Sequence, residues 1–491
     1  MATNQKSESA AIHARLKHPV IDSDGHWIEY EPAVVDYIAK VGGRELAERF
    51  KAQDILSIGG WARFTSAERL ERRMSVGAWW GFPARNALDR ATAMAPKLLY
   101  QRLDDMGIDY GVVYPTLALF VALIREPDMR RAVCRAFNML SADLFREFSD
   151  RLTPAAYIPM GKPEWAIEEL DFAVRTLGLK AMMMESLMRR PVKAAPRDAE
   201  QSRFTSWPDT LGLDSEYDYD PVWAKCVELK VAPTFHSGSQ GLGLRFSPTN
   251  FVYNHIGHFG AAGEAVCKSI FMNGVTRRFP TLKFAFLEGG VGWACSLFSD
   301  LIGHWKKRNP SALEDVNPAN LDVAAMTDLL RRYAPQAVTD HLGELDGLRK
   351  MLVETPESRD DFARCGITRP EDIRDLFVPN FYFGCEADDS INSWAFNSKV
   401  NPFEARLGAI IGSDIGHFDV SDMTEVLAEA HELLERGQIT EEDFHDFVFG
   451  NPVHFWAGMN PDFFKGTVVE RQAAELMAGQ RAHQQAAAAG S

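Results

Sequence analysis

Pro19-Val20-Ile21-Asp22-Ser23-Asp24-Gly25-His26 begins as a short apolar, β-branched run and ends in side chains able to hold a cation. Such a segment reads as a buried parallel strand loaded at its carboxyl end. The pattern recurs along the chain. Tyr110-Gly-Val-Val-Tyr114 stops at Pro115-Thr116, Ala155-Ala-Tyr-Ile-Pro159 follows, and Lys180-Ala-Met-Met-Met184 finishes at Glu185. Val231-Ala-Pro-Thr-Phe235 finishes at His236, although its internal proline is unusual for a strand. Leu282 to Leu287 delivers Glu288, Phe381 to Cys385 delivers Glu386, and Leu407 to Ser413 delivers Asp414.

Helical patterns separate these runs. From Pro163 to Leu177, for example, Trp165, Ile167, Leu170, Ala173 and Val174 keep the 3.6-residue apolar spacing. Strands alternating with helices predict an α/β fold, here a distorted (β/α)8 TIM barrel. In such a barrel all eight carboxyl ends open on one face, so distant residues converge there.

One barrel domain is expected over residues 1–471, with 472–491 as a low-complexity Gln/Ala-rich tail. Two stretches exceed simple connections and read as insertions, about 33–99 after strand 1 and about 310–378 between strands 6 and 7. The first contains Trp61, Trp79, Trp80, Phe82 and Pro83, which suit a cap over the barrel mouth, a subunit contact or plain buried packing. The second carries charged helical segments at Leu342 to Glu354 and Pro370 to Leu376, an inserted helical subdomain that would shape access to the mouth.

Composition narrows the function classes. With 46% hydrophobic and 25% charged residues, the 491-residue chain has the balance of a globular protein with a large core. A net charge of −15 with no long Lys/Arg block argues against nucleic acid as a partner. No apolar run approaches the roughly 20 residues needed to cross a bilayer, and the N-terminus lacks signal-peptide character, so a cytoplasmic protein without a membrane partner is expected. The six cysteines are scattered, supporting neither a disulfide framework nor a zinc knuckle.

Several motifs in fixed order carry a family resemblance: Ile21-Asp-Ser-Asp-Gly-His26-Trp-Ile-Glu29, Leu103 to Asp109, Gly274 to Pro280 running into Leu287-Glu-Gly-Gly-Val-Gly-Trp293, Gly412-Ser-Asp-Ile-Gly-His417, and Gly450-Asn-Pro-Val-His-Phe-Trp456. In this order they resemble the amidohydrolase-related family of the amidohydrolase superfamily, in the branch of aminocarboxymuconate-semialdehyde decarboxylase. The resemblance implies one divalent ion held by Asp24, His26, His236 and Asp414, with Asp414 also accepting a proton. It further implies a homo-oligomer, dimer or tetramer. Two positions depart from the family pattern: its first ligand, often His or Glu, is Asp24 here, and its sixth-strand histidine is Glu288.

Two imidazoles and two carboxylates make a mixed N/O site, for which zinc is the expected ion and manganese or iron the alternatives. Glu288 reads as a further ligand or as the acid/base that protonates a leaving group. His258 and His255, in a loop expected to cross the mouth, are candidates for acid/base work and substrate binding, against the blander reading of a surface pair. Arg245 is a candidate anchor for a substrate carboxylate, and Trp80 a candidate substrate contact. His417 can orient Asp414 from behind. Glu185 reads equally as a cap, Asp388 and Asp389 as a helix start, Asp22 as a structural hydrogen-bonding group, and His454 as packing at the barrel bottom.

These readings predict an enzyme acting on a small molecule. The leading expectation is a metal-dependent hydrolase that uses metal-bound water on a C–N, C–O or activated C–C bond of a small aromatic or carboxylated compound. The alternatives are a non-oxidative, metal-dependent decarboxylase of a hydroxylated aromatic acid and a catalytically inactive barrel acting as a binding protein.

Overall fold

The computed structural model describes residues 6–53, 60–77, 84–193, 206–236, 238, 246–344 and 360–489. Eight strands form one parallel sheet that curls into a nearly closed barrel. They are β1 Ile21–Trp27, β2 Tyr110–Pro115, β3 Leu152–Ile158, β4 Ala181–Met184, β5 Pro233–Phe235, β6 Phe284–Phe286, β7 Phe381–Glu386 and β8 Gly408–Gly412. Each pairs in parallel with its sequence neighbour. The (β/α)8 expectation is met, and each anticipated apolar run overlaps its strand, although β1 continues to Trp27 and β3 begins earlier, at Leu152. Pro233 opens β5, a position that needs no ladder donor, which reconciles the proline with a strand. β1 runs on through Asp24 and His26, with a register irregularity between Asp22 and Gly25.

The strands are buried because helices cover them. Rings on neighbouring strands stack beneath the helix that carries Trp293, Phe235 on Phe286 at 5.5 Å and Phe286 on Phe383 at 6.2 Å between centroids. Pro163–Asp171 is α-helical and continues as a wider turn over Phe172–Thr176, while Ala166, Leu170 and Ala173 face the core. Glu31–Gln53 follows β1 and packs on Pro127–Phe145. Pro370–Phe377 precedes β7 and buries Ile373, Leu376 and Phe377. Trp61 lies half-buried under the Arg69 guanidinium, whereas Trp79, Trp80, Phe82 and Pro83 lie outside the described residues, as does most of the Leu342 to Glu354 segment. Among the described residues no helix is long and apolar enough to cross a membrane, and all six cysteines are buried and free.

The barrel closes between β1 and β8 through local contacts. Asp414 N donates to Asp24 O at 2.9 Å and His26 N to Ile415 O at 3.1 Å. The buried Asp22 carboxylate accepts from Ser413 N (3.0 Å), Ser413 Oγ (2.6 Å) and Asp24 N (3.2 Å). Close approach here depends on glycine: a Cβ on Gly25 would sit 2.6 Å from Asp22 Oδ2, and one on Gly412 would sit 2.8 Å from Asp24 Cβ. At the opposite pole Asn451 Nδ2 donates to Ala409 O, and half-buried His454 sits near Lys283, just ahead of β6. Packing at the barrel bottom is therefore its place.

Removing the Asp22 carboxylate strands two buried backbone donors and a hydroxyl. Asp22→Ala is expected to destabilise the fold by about 3 kcal/mol, and Ser413→Ala by about 1 kcal/mol, in denaturant titrations. Glu29 offers a pH test. It is buried, accepts from Leu117 N at 2.8 Å and Ala118 N at 3.3 Å, and burial pushes its carboxyl from 4.5 up to about 8. Because the folded value is the higher one, its stabilising share is complete below pH about 4.5 and is lost as pH rises through about 8. Glu29→Gln should flatten the fall in stability over that window, measured by denaturation at pH 5 and pH 8.

Candidate functional site

The carboxyl ends of β1, β5, β6 and β8 bring their loaded residues to one pole. His26 lies within β1, His236 follows β5 directly, and Glu288 and Asp414 each stand two residues beyond β6 and β8. Glu288 and Asp414 both take left-handed backbone, with φ of 56° and 49°. For residues other than glycine this costs on the order of 1–3 kcal/mol and persists only where surrounding bonds enforce it. Here Leu287 N bonds Phe235 O, Gly290 N bonds Gly384 O, and Asp414 N bonds Asp24 O. The strain turns both carboxyls inward.

The donor atoms are close together. His26 Nε2 lies 3.0 Å from His236 Nε2, 3.6 Å from Asp24 Oδ1 and 3.5 Å from Asp414 Oδ1. His236 Nε2 lies 3.9 Å from Asp24 Oδ1 and 2.8 Å from Glu288 Oε2. Two donors bonded at roughly 2.0–2.2 Å to one ion in tetrahedral geometry stand about 3.3–3.6 Å apart, the spacing of His26 Nε2 from the Asp24 and Asp414 oxygens. Asp24 Oδ1, Glu288 Oε2 and Asp414 Oδ2 are buried without a hydrogen bond. Buried polar atoms are normally satisfied, so three unsatisfied carboxylate oxygens around facing imidazoles fit a divalent cation.

Charge balance agrees. Burial, then neighbouring histidines, drives His26 and His417 well below the usual imidazole range, and burial lowers His236 against the pull of Asp24. Neutral imidazole is the ligating form. Burial, reinforced by neighbouring carboxylates, raises Asp24, Glu288 and Asp414 well above the usual carboxylate range. Upward shifts of this kind favour the protonated carboxyl, and a cation bound here would favour the carboxylate instead.

His417 is buried, with Nδ1 2.6 Å from Asp414 Oδ1, its ring 3.9 Å from that of His26, and Nε2 3.2 Å from Thr116 Oγ1. Thr116 Oγ1 also lies 3.4 Å from His26 Nδ1. The hydroxyl thus lies between the outer nitrogens of two site histidines. The expected loop around His255 and His258 is instead two helices, Phe251–His255 and His258–Met272. His258 packs on Gly238, where an added Cβ would meet its ring at 1.7 Å, and its ring lies 4.1 Å from that of Phe259, which in turn lies 5.4 Å from that of His236. Arg245 and Trp80 lie outside the described residues.

Glu185 stands apart from the cluster: it accepts from Met160 N at 3.0 Å and faces Arg130 at 3.7 Å. Asp389 caps Ser390–Asn392 through Ile391 N. Two further carboxylates lie near the cluster: Glu386, which the sequence offers as the loaded end of the seventh strand, and Asp419, which the sequence reading missed. Glu386, raised to about 8 by burial and by Glu288, sits at the end of β7. Asp419 is exposed but close to His255 and Glu288. Its position five residues past Asp414 in an irregular segment gives no periodic signal.

A nearly closed parallel barrel with a buried His/Asp/Glu cluster at its carboxyl pole defines the class of metal-dependent barrel enzymes. The family model described as Amidohydrolase matches residues 21–314, more than half of the chain, and this protein belongs to that family. The matched stretch carries Asp24, His26, His236 and Glu288 and ends before Asp414. Similar solved structures include an amidohydrolase from Mycobacterium avium subsp. paratuberculosis K-10, at 18% identity and TM-score 0.45, covering 75% of each chain. A dihydroxybenzoic acid decarboxylase from Polaromonas sp. JS666, solved with manganese and 2-nitroresorcinol, aligns at 15% identity and TM-score 0.46, over 89% of this chain and 97% of that one. A 5-carboxyvanillate decarboxylase from Novosphingobium aromaticivorans DSM 12444, solved with manganese, aligns at 13% identity and TM-score 0.48, over 93% and 99%.

Two substitutions separate the cluster from its scaffold. His417→Ala should weaken divalent-metal affinity by about 10–100-fold while the far-ultraviolet circular dichroism stays native. Glu185→Gln should leave affinity unchanged in the same metal titration, since its partners are Met160 and Arg130.

Proposed function

We propose that this enzyme is a metal-dependent hydrolase in which Asp24, His26, His236 and Asp414 hold one divalent ion, Glu288 is the acid, and the substrate is a small aromatic compound. The observation that carries the reading is the placement of the two acids on either side of the histidine pair: Asp414 Oδ1 is 3.5 Å from His26 Nε2, and Glu288 Oε2 is 2.8 Å from His236 Nε2. Zinc suits the mixed N/O donor set, with manganese or iron as the other candidates. Such an ion supplies Lewis acidity, which polarises a substrate oxygen and brings the pKa of water down from about 15.7 to about 7.

The residues divide the proton work. Asp414 would hold the ion and could also take a proton, with His417 Nδ1, 2.6 Å from its Oδ1, fixing its orientation. Burial raises the Glu288 carboxyl well above the usual carboxylate range, which suits it to delivering a proton to a leaving group. Phe251, Phe259 and Phe418 stand among His255 and His258 at the mouth and offer flat apolar faces to an aromatic ring.

The second reading is non-oxidative decarboxylation of a hydroxylated aromatic acid. The buried acid Glu288 supports it, because the same proton could go to a ring carbon instead of a heteroatom. Turnover in ¹⁸O-labelled water across ester, lactone, amide and ring-cleavage-product panels, run beside salicylate-type acids with carbon dioxide trapping, distinguishes the two. Label in the product is expected, and carbon dioxide release without label would overturn hydrolysis. Asp414→Asn and Glu288→Gln should each lower kcat by about 10²–10⁴-fold with the fold intact. Unchanged turnover in either variant removes that residue from the mechanism.

A further inference from the structure

β2 gives no ligand to the cluster, yet its inward side chains stand against it. The Tyr114 ring lies 6.0 Å from that of His26 and 6.2 Å from that of His236, and Thr116, two residues on, turns to the same side. Thr116 is buried, with Oγ1 3.4 Å from His26 Nδ1 and 3.2 Å from His417 Nε2. Its backbone is fixed from the β1 side. Thr116 N donates to Trp27 O at 3.1 Å, and the next two amides, Leu117 N and Ala118 N, donate to the buried Glu29 carboxylate. The hydroxyl therefore has a set position and a single hydrogen to give.

That hydrogen can go to only one of the two ring nitrogens, and the surroundings decide which. His26 turns Nε2 to the cluster, 3.0 Å from His236 Nε2 and 3.5 Å from Asp414 Oδ1. A neutral imidazole that ligates through Nε2 carries its hydrogen on Nδ1. His26 Nδ1 is then a donor, with Thr116 Oγ1 and the Tyr114 carbonyl as its acceptors. His417 Nδ1 lies 2.6 Å from Asp414 Oδ1, off line for a full hydrogen bond. A bare nitrogen there would set its lone pair against the carboxylate, so the ring hydrogen sits on Nδ1 and leaves Nε2 to accept. The Thr116 hydrogen accordingly goes to His417 Nε2. Sent the other way, it would force the His26 hydrogen onto Nε2 and block the ligating atom.

We propose that Thr116 is a positioning residue of the metal centre, its hydroxyl holding His26 and His417 in the tautomers that free His26 Nε2 for the ion and keep the His417 hydrogen on the Asp414 side. This rests on the reading of His26 and Asp414 as ligands. The two rings lie 3.9 Å apart between centroids, so one short side chain serves both. Serine supplies the same hydroxyl at this position, whereas valine keeps the shape of threonine and supplies none.

The test compares Thr116→Val and Thr116→Ser in the full chain. Ring nitrogens of ¹⁵N-labelled histidine are read by nuclear magnetic resonance in metal-free and zinc-loaded protein, and zinc affinity is measured by chelator competition. In wild type the His417 hydrogen should sit on Nδ1 with or without zinc, and that of His26 on Nδ1 in the zinc-loaded chain. Thr116→Val should lose the hydrogen-bond displacement of the His417 Nε2 resonance and bind zinc about 10–100-fold more weakly, with native far-ultraviolet circular dichroism. Thr116→Ser should restore both readouts. A hydrogen on His417 Nε2 in wild type, wild-type affinity in Thr116→Val, or a serine variant as weak as the valine one overturns the role of the hydroxyl and leaves the inner site standing. Zinc that fails to bind wild type, or binds His236→Ala equally well, removes the inner site and the role of Thr116 with it.

Discussion

The seam between β1 and β8 is the constraint on which the site depends. A parallel barrel carries its chemistry on strand ends, and the first and last strands share no regular ladder here. Their register is set by the buried Asp22 carboxylate, which holds Ser413 through backbone and hydroxyl, and by the Asp414 to Asp24 backbone bond. Those same few residues place three of the four proposed ligands, Asp24, His26 and Asp414. Closure of the fold and assembly of the site are therefore one event. The glycines at 25 and 412 belong to it, because a side chain at either position would push directly on Asp22 or Asp24.

The site works against the stability of its own scaffold. Buried charges cost several kcal/mol each in desolvation, and left-handed backbone at Glu288 and Asp414 adds strain. A bound cation offsets part of this by replacing protons on the carboxylates and satisfying their orphaned oxygens. Metal binding and folding are thus coupled in free energy. The neutral imidazoles of His26 and His236 add donors without adding charge, and Thr116 and His417 fix their environment from behind.

Much of this was legible in the sequence. Eight apolar runs alternating with helices give the barrel, since buried parallel strands need apolar residues on both faces. The polar residue after each run marks the pole where chemistry collects. What strand patterns do not reveal is which loaded ends turn inward. Glu185 follows β4 much as Glu288 follows β6, yet Glu185 meets Arg130 and the Met160 amide while Glu288 faces His236. That difference arises from side chains on neighbouring strands. Asp419 was invisible for a related reason: its place near His255 and Glu288 arises from contacts between elements far apart in sequence.

Glu288 ties the electrostatics to the chemistry. A histidine at the end of β6 would add a donor and no charge, leaving the inner ion to balance the aspartates alone. A glutamate adds a negative charge when ionised and a buried acid when protonated, so it changes ion demand and proton supply together. Its carboxylate also spans farther than a single ring nitrogen, with one oxygen beside His236 and the group as a whole within reach of His255 and Asp419. The chemistry open to this mouth therefore turns on how Glu288 is divided between a proton and a cation, a balance tilted by its burial and then by the nearby Asp419 carboxylate.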